Sequence, residues 1–300
     1  MQLSILESGT GEITMALKQN LAQARRMITF NTETKIGATI AIIFVGTALV
    51  EAIAGRAVLP YSPTAIHINQ AFEGPSLAHP LGTNYIGTDV LSQIIAGAPN
   101  DAMVSFLVVG FAFIFGGLFG AVAGYLSGWF DEALMRVTDI FFGVPAIVLG
   151  IAISVVLGPS PTHVALALAV IWWPAYARLS RSEALKLSQA NFVESARLSG
   201  VNTGRIVFRH VYRIAIPTLL VYATLDVGTV VLAYSGLAYL GLAVRPPLPD
   251  WGFMVAQYQN YLFKAPWLAL TPAIIIVIVA AGFSLLGDGL REALQREVGR

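Results

Sequence analysis

Six apolar runs punctuate the chain, at 36–55, 103–126, 137–158, 163–179, 214–234 and 267–286. Each is about long enough for a helix to cross roughly 30 Å of hydrocarbon. The pattern predicts an all-α, polytopic membrane protein of about six spans. The fourth run is short and carries Trp172, Trp173 and Pro174. An even number of spans leaves both termini on one side of the membrane. The expected organisation is a tail at 1–35, a first span at 36–55, an outer loop at 56–98, a transmembrane core at 99–290 and a tail at 291–300. Within the first tail, Ile13, Ala16, Leu17, Leu21, Ala24 and Ile28 recur at helical spacing opposite Lys18, Gln19, Gln23 and Arg26. Such a helix lies on the inner membrane surface, or less readily binds a partner.

One polar, basic segment, 178–213, separates the fourth and fifth runs. Inside it Asn191, followed three residues later by Glu194, has the spacing of an N-cap with its capping-box partner. Gly200 can then close the helix in a left-handed conformation. The predicted helix, 192–199, makes two turns and is roughly 12 Å long. Phe192 and Ala196 fall on one face of it, while Glu194, Arg197 and Ser199 point elsewhere. So short a helix cannot persist alone in water and needs a socket or a scaffold. The competing reading is a plain connector resting on lipid headgroups.

Composition agrees with lipid as the solvent: 56% of residues are hydrophobic and 12% charged. Of the 18 Lys and Arg residues, only Arg56, Arg245 and Lys264 fall on the side away from the termini. That asymmetry predicts a cell-membrane protein with both termini and the 178–213 segment in the cytoplasm. A net charge of +1 gives no reason to expect nucleic acid as a partner. The chain has no cysteine, which excludes disulfides and thiolate metal sites. The first apolar run follows a long polar stretch and exceeds a signal-peptide core, so it is expected to stay as an uncleaved span.

Smaller features refine the picture. The outer loop contains His79-Pro80-Leu81-Gly82-Thr83-Asn84 and Gly87-Thr88-Asp89-Val90-Leu91-Ser92. A helix along the membrane surface at 89–95, capped by Thr88, fits the second of these. His67 and His79 stand too far from other imidazoles to argue for metal. Gly116, Gly120, Gly124 and Gly128 recur every fourth residue, a stripe that lets two helix backbones approach closely. Pro217 is expected to kink the fifth span. Asp226 lies near mid-membrane, either lining a polar path or hydrogen-bonded within the bundle. No phosphate-binding loop, zinc-protease helix or nucleophile elbow is present, so energy for any driven work comes from elsewhere.

Glu194-Ser195-Ala196, three residues, then Gly200 resembles the cytoplasmic Glu-Ala-Ala...Gly motif of permease subunits of ABC importers. His79-Pro80-Leu81-Gly82-Thr83, Gly87 and Asp89-Val90-Leu91-Ser92 resemble the peptide and nickel branch, in its second permease type. So do Leu240-Gly241-Leu242, Pro246-Pro247, Trp251-Gly252, Ala265-Pro266-Trp267 and Leu286-Gly287-Asp288-Gly289-Leu290-Arg291. The chain departs from that pattern at Tyr212 and Arg213, where the family has Leu-Pro, and at Thr88, where the branch has Arg. The resemblance implies the permease fold of type I importers, with a sister permease, two cytoplasmic ATPases and an external solute-binding protein as partners, in addition to membrane lipid. ATP and magnesium would sit on the ATPases, so this chain is not expected to be an enzyme and holds no cofactor. Phe192, Glu194, Ser195, Ala196, Arg197 and Gly200 would form the element docking on an ATPase. Arg205 and Arg209 would meet acidic ATPase groups or lipid phosphates. Cargo would be di- or oligopeptides, with nickel or oligosaccharide as alternatives, and Asp226 is the candidate pathway residue. The competing functions are an ion-coupled secondary transporter, for which no internal repeat speaks, an intramembrane protease, for which His163 and His210 lie too near the span ends, and a structural subunit of a membrane complex.

Overall fold

A computed structural model describes residues 31–298; the expected amphipathic helix at 13–28 lies outside them. The described chain is built from helices: α1 (Thr32–Ala54), α2 (Val90–Leu126), α3 (Gly128–Phe142), α4 (Ala146–Leu157), α5 (Pro161–Ser188), α6 (Asn191–Leu198), α7 (Thr203–Tyr239), α8 (Trp251–Tyr258) and α9 (Pro266–Val298). Among the described residues α1, α2, α7 and α9 are long and apolar enough to cross a membrane. The 137–158 run is not one straight span. It breaks between α3 and α4, which meet at 85°, because Pro145 denies the helix an amide and pushes Val144 out of the helical region. By length α5, with 28 residues, also reaches across. Its second half carries Arg178, Arg181, Glu183 and Lys186 and is not apolar.

The second span starts earlier than its apolar run. In place of a separate surface helix at 89–95, α2 begins at Val90 and continues to Leu126 through a π-turn at Ala112–Gly116. Its cap is Asp89, whose carboxylate accepts from the Ser92 amide at 2.7 Å. Thr88, the expected cap, instead donates to the Ala65 carbonyl at 2.6 Å. Gln93 and Asp101, which interrupt the apolar run ahead of 103, are buried on partners distant in sequence. Gln93 accepts from the Tyr258 hydroxyl at 2.8 Å.

Glycine sets the helix spacing. A Cβ on Gly116 or Gly120 would collide with the carbonyl oxygen of Trp173 or Ala177, and one on Gly124 would lie 2.5 Å from that of Arg181. The stripe therefore presses α2 onto α5 backbone to backbone, and the Ser180 hydroxyl adds a 2.6 Å bond to the Gly117 carbonyl. Gly128 does not extend this stripe. It meets nothing and supplies a turn at φ +73° between α2 and α3.

The outer loop folds into a cap. His79 Nδ1 lies 2.9 Å from Asp89 Oδ1, and the Asn84 side-chain oxygen accepts from the Ile86 and Thr88 amides at 3.0 and 2.9 Å. Asn84 then donates to the Tyr258 hydroxyl at 3.0 Å, tying the cap to α8. Burial pushes the Tyr258 hydroxyl up to about 12, so it remains a donor to Gln93 at any physiological pH. The Trp251 indole donates to the Ile94 carbonyl at 2.8 Å, pinning α8 on α2.

Candidate functional site

The segment between α5 and α7 carries most of the predicted site residues, and the short helix is there as α6. Its start differs from expectation. Asn191 is its first residue, Ala190 takes the cap position, and no side chain caps the end. Glu194 is thereby released from a capping role and is exposed. The other end follows local chemistry: Gly200 sits at φ +74°. The Val201 amide donates to the Ala196 carbonyl at 3.1 Å and the Gly200 amide to that of Arg197 at 3.0 Å. This pair of bonds satisfies carbonyls that the helix end would otherwise strand. A Cβ on Gly200 would touch nothing, so glycine is needed there for its backbone angle and not for space.

The two faces of α6 divide differently from the expected Phe192–Ala196 stripe. Val193 is fully buried, in a cluster with Ala121 and Tyr125 of α2, Ala184 of α5, and Ile206, Val207 and Val211 of α7. Ala196 packs against the same cluster. Arg197, though exposed, reaches back to α2: its Nε donates to the Tyr125 hydroxyl at 2.8 Å, and its guanidinium lies 4.8 Å from the centre of that ring. Arg197 thus anchors α6 to the end of α2. Phe192 and Leu198 are left on the surface, 43% and 85% exposed, beside Glu194 and Ser195. Arg205 and Arg209 are also exposed and flank Phe208, which is 56% exposed. The combined face is an apolar pair of patches with one carboxylate and two guanidinium groups.

Val193 and Tyr125 were not among the predicted residues. The available signal was the pair Val193 and Ala196, three apart with the polar Glu194 and Ser195 between them. Tyr125 could be found only by knowing that α2 ends beside α6.

Where α7 leaves this segment it contains a π-turn at Val207–Val211, then continues as one helix through Pro217. Tyr212, one of the two departures from Leu-Pro, packs on Gly117 and directs its hydroxyl to the Phe113 carbonyl at 3.4 Å, within the π-turn of α2. Arg213 is exposed.

Asp226 lies in the bundle, far along α7, and is 9% exposed. The Trp172 indole of α5 donates to its Oδ2 at 3.0 Å. Tyr176 stands one turn along α5 with its hydroxyl buried beside this same carboxylate. The structure thus places Asp226 away from the α6 surface, at a separate polar point within the membrane part. Between α5, α7 and α9 a recess of about 890 Å³ opens.

Residues 116–300 match the family of the binding-protein-dependent transport system inner membrane component. Similar curated proteins extend the likeness over most of the chain. The dipeptide transport system permease protein DppC of Alkalihalophilus pseudofirmus is 38% identical over 222 residues, 74% of this chain and 73% of that protein. The probable D,D-dipeptide transport system permease protein DdpC of Escherichia coli K12 is 35% identical over 239 residues, 80% of each chain. The glutathione transport system permease protein GsiD of Escherichia coli O157:H7 is 36% identical over 259 residues, 86% of each.

Proposed function

The chain belongs to the family of binding-protein-dependent transport system inner membrane components, and we propose that it imports small peptides through an assembly in which α6 receives the work of an ATPase. As a member of that family it is a permease subunit of an ABC importer and works with other subunits. The partners in this reading are a sister permease, two cytoplasmic ATPases that hold ATP and magnesium, and an external solute-binding protein. ATP hydrolysis belongs to the ATPases, and both termini and α6 face the cytoplasm, in line with the distribution of basic residues.

One observation carries the coupling role. A helix of eight residues is held on its inner side by Val193 and Arg197, yet presents Phe192, Glu194 and Leu198 outward. A connector lying on lipid has no need of a built socket behind it. Docked in an ATPase cleft, the outer face takes up ATPase closure while the inner face passes it to α2, α5 and α7. ATP then shifts the bundle between outward and inward access by favouring the closed ATPase pair, as two linked equilibria require.

Cargo follows from the relatives. Their names specify dipeptide, D,D-dipeptide and glutathione, and each of those cargoes carries an amino group and a carboxylate. Small peptides are therefore favoured over nickel or oligosaccharide. The test is reconstitution in liposomes with the sister permease, the ATPases and a binding protein loaded with a dipeptide. Wild-type complex should hydrolyse ATP faster with the loaded binding protein and accumulate peptide, and Glu194→Arg should lose both responses. Failure of the chain to assemble with any ATPase, or stimulation untouched by Glu194→Arg, would refute the role of α6.

A further inference from the structure

The recess between α5, α7 and α9 is lined by Leu179, Glu183 and Lys186 of α5, Thr218 and Tyr222 of α7 and Arg291 of α9, among others. Its charged groups stand toward the ends of α5 and α9, and its walls become apolar and aromatic further in. The Tyr222 ring packs edge-on against Tyr176 with centroids 5.1 Å apart. One helical turn beyond Tyr222 on α7 is Asp226, and one turn beyond Tyr176 on α5 is Trp172, which donates to that carboxylate. The two stripes, 218–222–226 and 172–176–179–183, thus converge on a single carboxyl group behind an aromatic pair.

The chemistry of that point is unbalanced. Asp226 accepts from the Trp172 indole at 3.0 Å and has the Tyr176 hydroxyl beside it; both are neutral donors, and no described cation pairs with it. A carboxylate within a membrane is costly unless a positive group meets it. The hydroxyl of Tyr176 is fully buried beside the same carboxylate. Carboxylate, buried hydroxyl and the faces of Trp172, Tyr176 and Tyr222 are the elements that recognise an organic cation.

The geometry points to a cargo subsite at Asp226 that binds the protonated amino group of a small peptide, reached from the recess when Tyr222 swings aside. The inference rests on the peptide-import reading and deepens it. An ammonium is the positive group common to a dipeptide, a D,D-dipeptide and glutathione, whatever their backbone stereochemistry or linkage, so one carboxylate serves all three. Arg291 at the charged end suits the peptide carboxylate on its way out; Lys186 there is paired with Glu183 at 2.9 Å. A phospholipid chain filling the recess is the rival occupant, and it needs no carboxylate at the inner end.

The natural lack of cysteine makes the test direct. In the complete importer without nucleotide, with partner thiols removed or blocked, Thr218→Cys places a single thiol of this chain in the recess for maleimide labelling. Dialanine at millimolar concentration should slow labelling, and N-acetyl-dialanine should need roughly 10- to 100-fold more to do the same, the loss expected for one charge-assisted bond. Asp226→Asn should abolish the difference between the two peptides. Asp226→Glu, which retains the charge, should preserve it. Equal protection by both peptides, or an undiminished preference in Asp226→Asn, overturns the subsite. So does a thiol shielded equally with and without peptide in nanodiscs yet open in detergent, the signature of lipid. Should Asp226→Asn fail to assemble, the two peptides compared on the wild-type background still decide. An importer that hydrolyses ATP in response to loaded binding protein but shows no peptide protection loses only this subsite; a chain that assembles with no ATPase loses the import reading itself.

Discussion

Val193→Ala isolates the attachment of α6 to the membrane bundle. The side chain is fully buried among residues of α2, α5 and α7. Removing two carbons at about 0.8 kcal/mol each gives ~1.6 kcal/mol, and the cavity left behind raises the cost to about 2 kcal/mol. An eight-residue helix has no stability of its own to absorb that loss, so the cost falls on the equilibrium between docked and frayed α6. About 2 kcal/mol shifts this equilibrium roughly 30-fold. Amide hydrogen exchange over 191–198, read by mass spectrometry on the assembled complex, should accelerate by that factor, while exchange across 104–109 in α2 stays unchanged. Peptide delivered per ATP hydrolysed should fall with it. The neighbouring Phe192→Ala provides the contrast. That ring is 43% exposed, so its removal should alter local exchange by less than about 0.5 kcal/mol and weaken ATPase association instead. Unchanged exchange in Val193→Ala, or equal acceleration in Phe192→Ala, would refute the division of α6 into an anchoring and a docking face.

Three further outcomes follow from the same geometry. Tyr125→Phe removes the acceptor of Arg197 Nε but keeps the ring beneath the guanidinium; it should loosen α6 by about 1 kcal/mol, visible as intermediate exchange, and Tyr125→Leu should loosen it further. Gly200→Ala meets no steric obstacle but must hold φ +74°, at about 1 kcal/mol, so transport should drop with membrane insertion intact; Gly200→Asn should be milder, and equal activity of all three would count against the left-handed closure. Gly120→Val drives a side chain into the Ala177 carbonyl and should strip the protein from the membrane fraction, whereas Gly110→Val, at a position where a Cβ meets nothing, should leave its level unchanged.

The apolar runs made the membrane helices legible because solvation by lipid is a bulk property of twenty residues at a time. Helix ends were not legible in that way. The break between α3 and α4 was signalled by Gly143-Val144-Pro145, but three residues weigh little in an average over the surrounding Ile, Phe and Val. The early start of α2 was hidden by Gln93 and Asp101, which interrupt the apolar run until their partners are known; Gln93 pairs with Tyr258 and Asp101 with Ser235, 165 and 134 residues away. At α6 the same distinction separates Gly200 from Val193. The turn at Gly200 depends on one backbone angle and local carbonyls, so a short motif announces it. Which side of α6 faces inward depends on where α2 stops, and no local pattern contains that.

The position of Val193 has a mechanical consequence for the proposed coupling. Its cluster joins the ends of α2, α5 and α7, and these are not free to slide independently. Gly116, Gly120 and Gly124 set α2 against the α5 backbone, with no intervening side chains whose rotamers could absorb a displacement. Tyr212, at the start of the long stretch of α7, packs on Gly117 and reaches the π-turn of α2. A force on α6 therefore moves these three ends as one body. Two of the three, α5 and α7, also carry the stripes that converge on Asp226. A tilt at the α6 end carries α5 and α7 together against α9, the third wall of the recess, and so changes the opening that leads to Tyr222. On this reading, ATPase closure and access to Asp226 are linked through packed backbone, and a loosened Val193 should weaken that link before it weakens the fold.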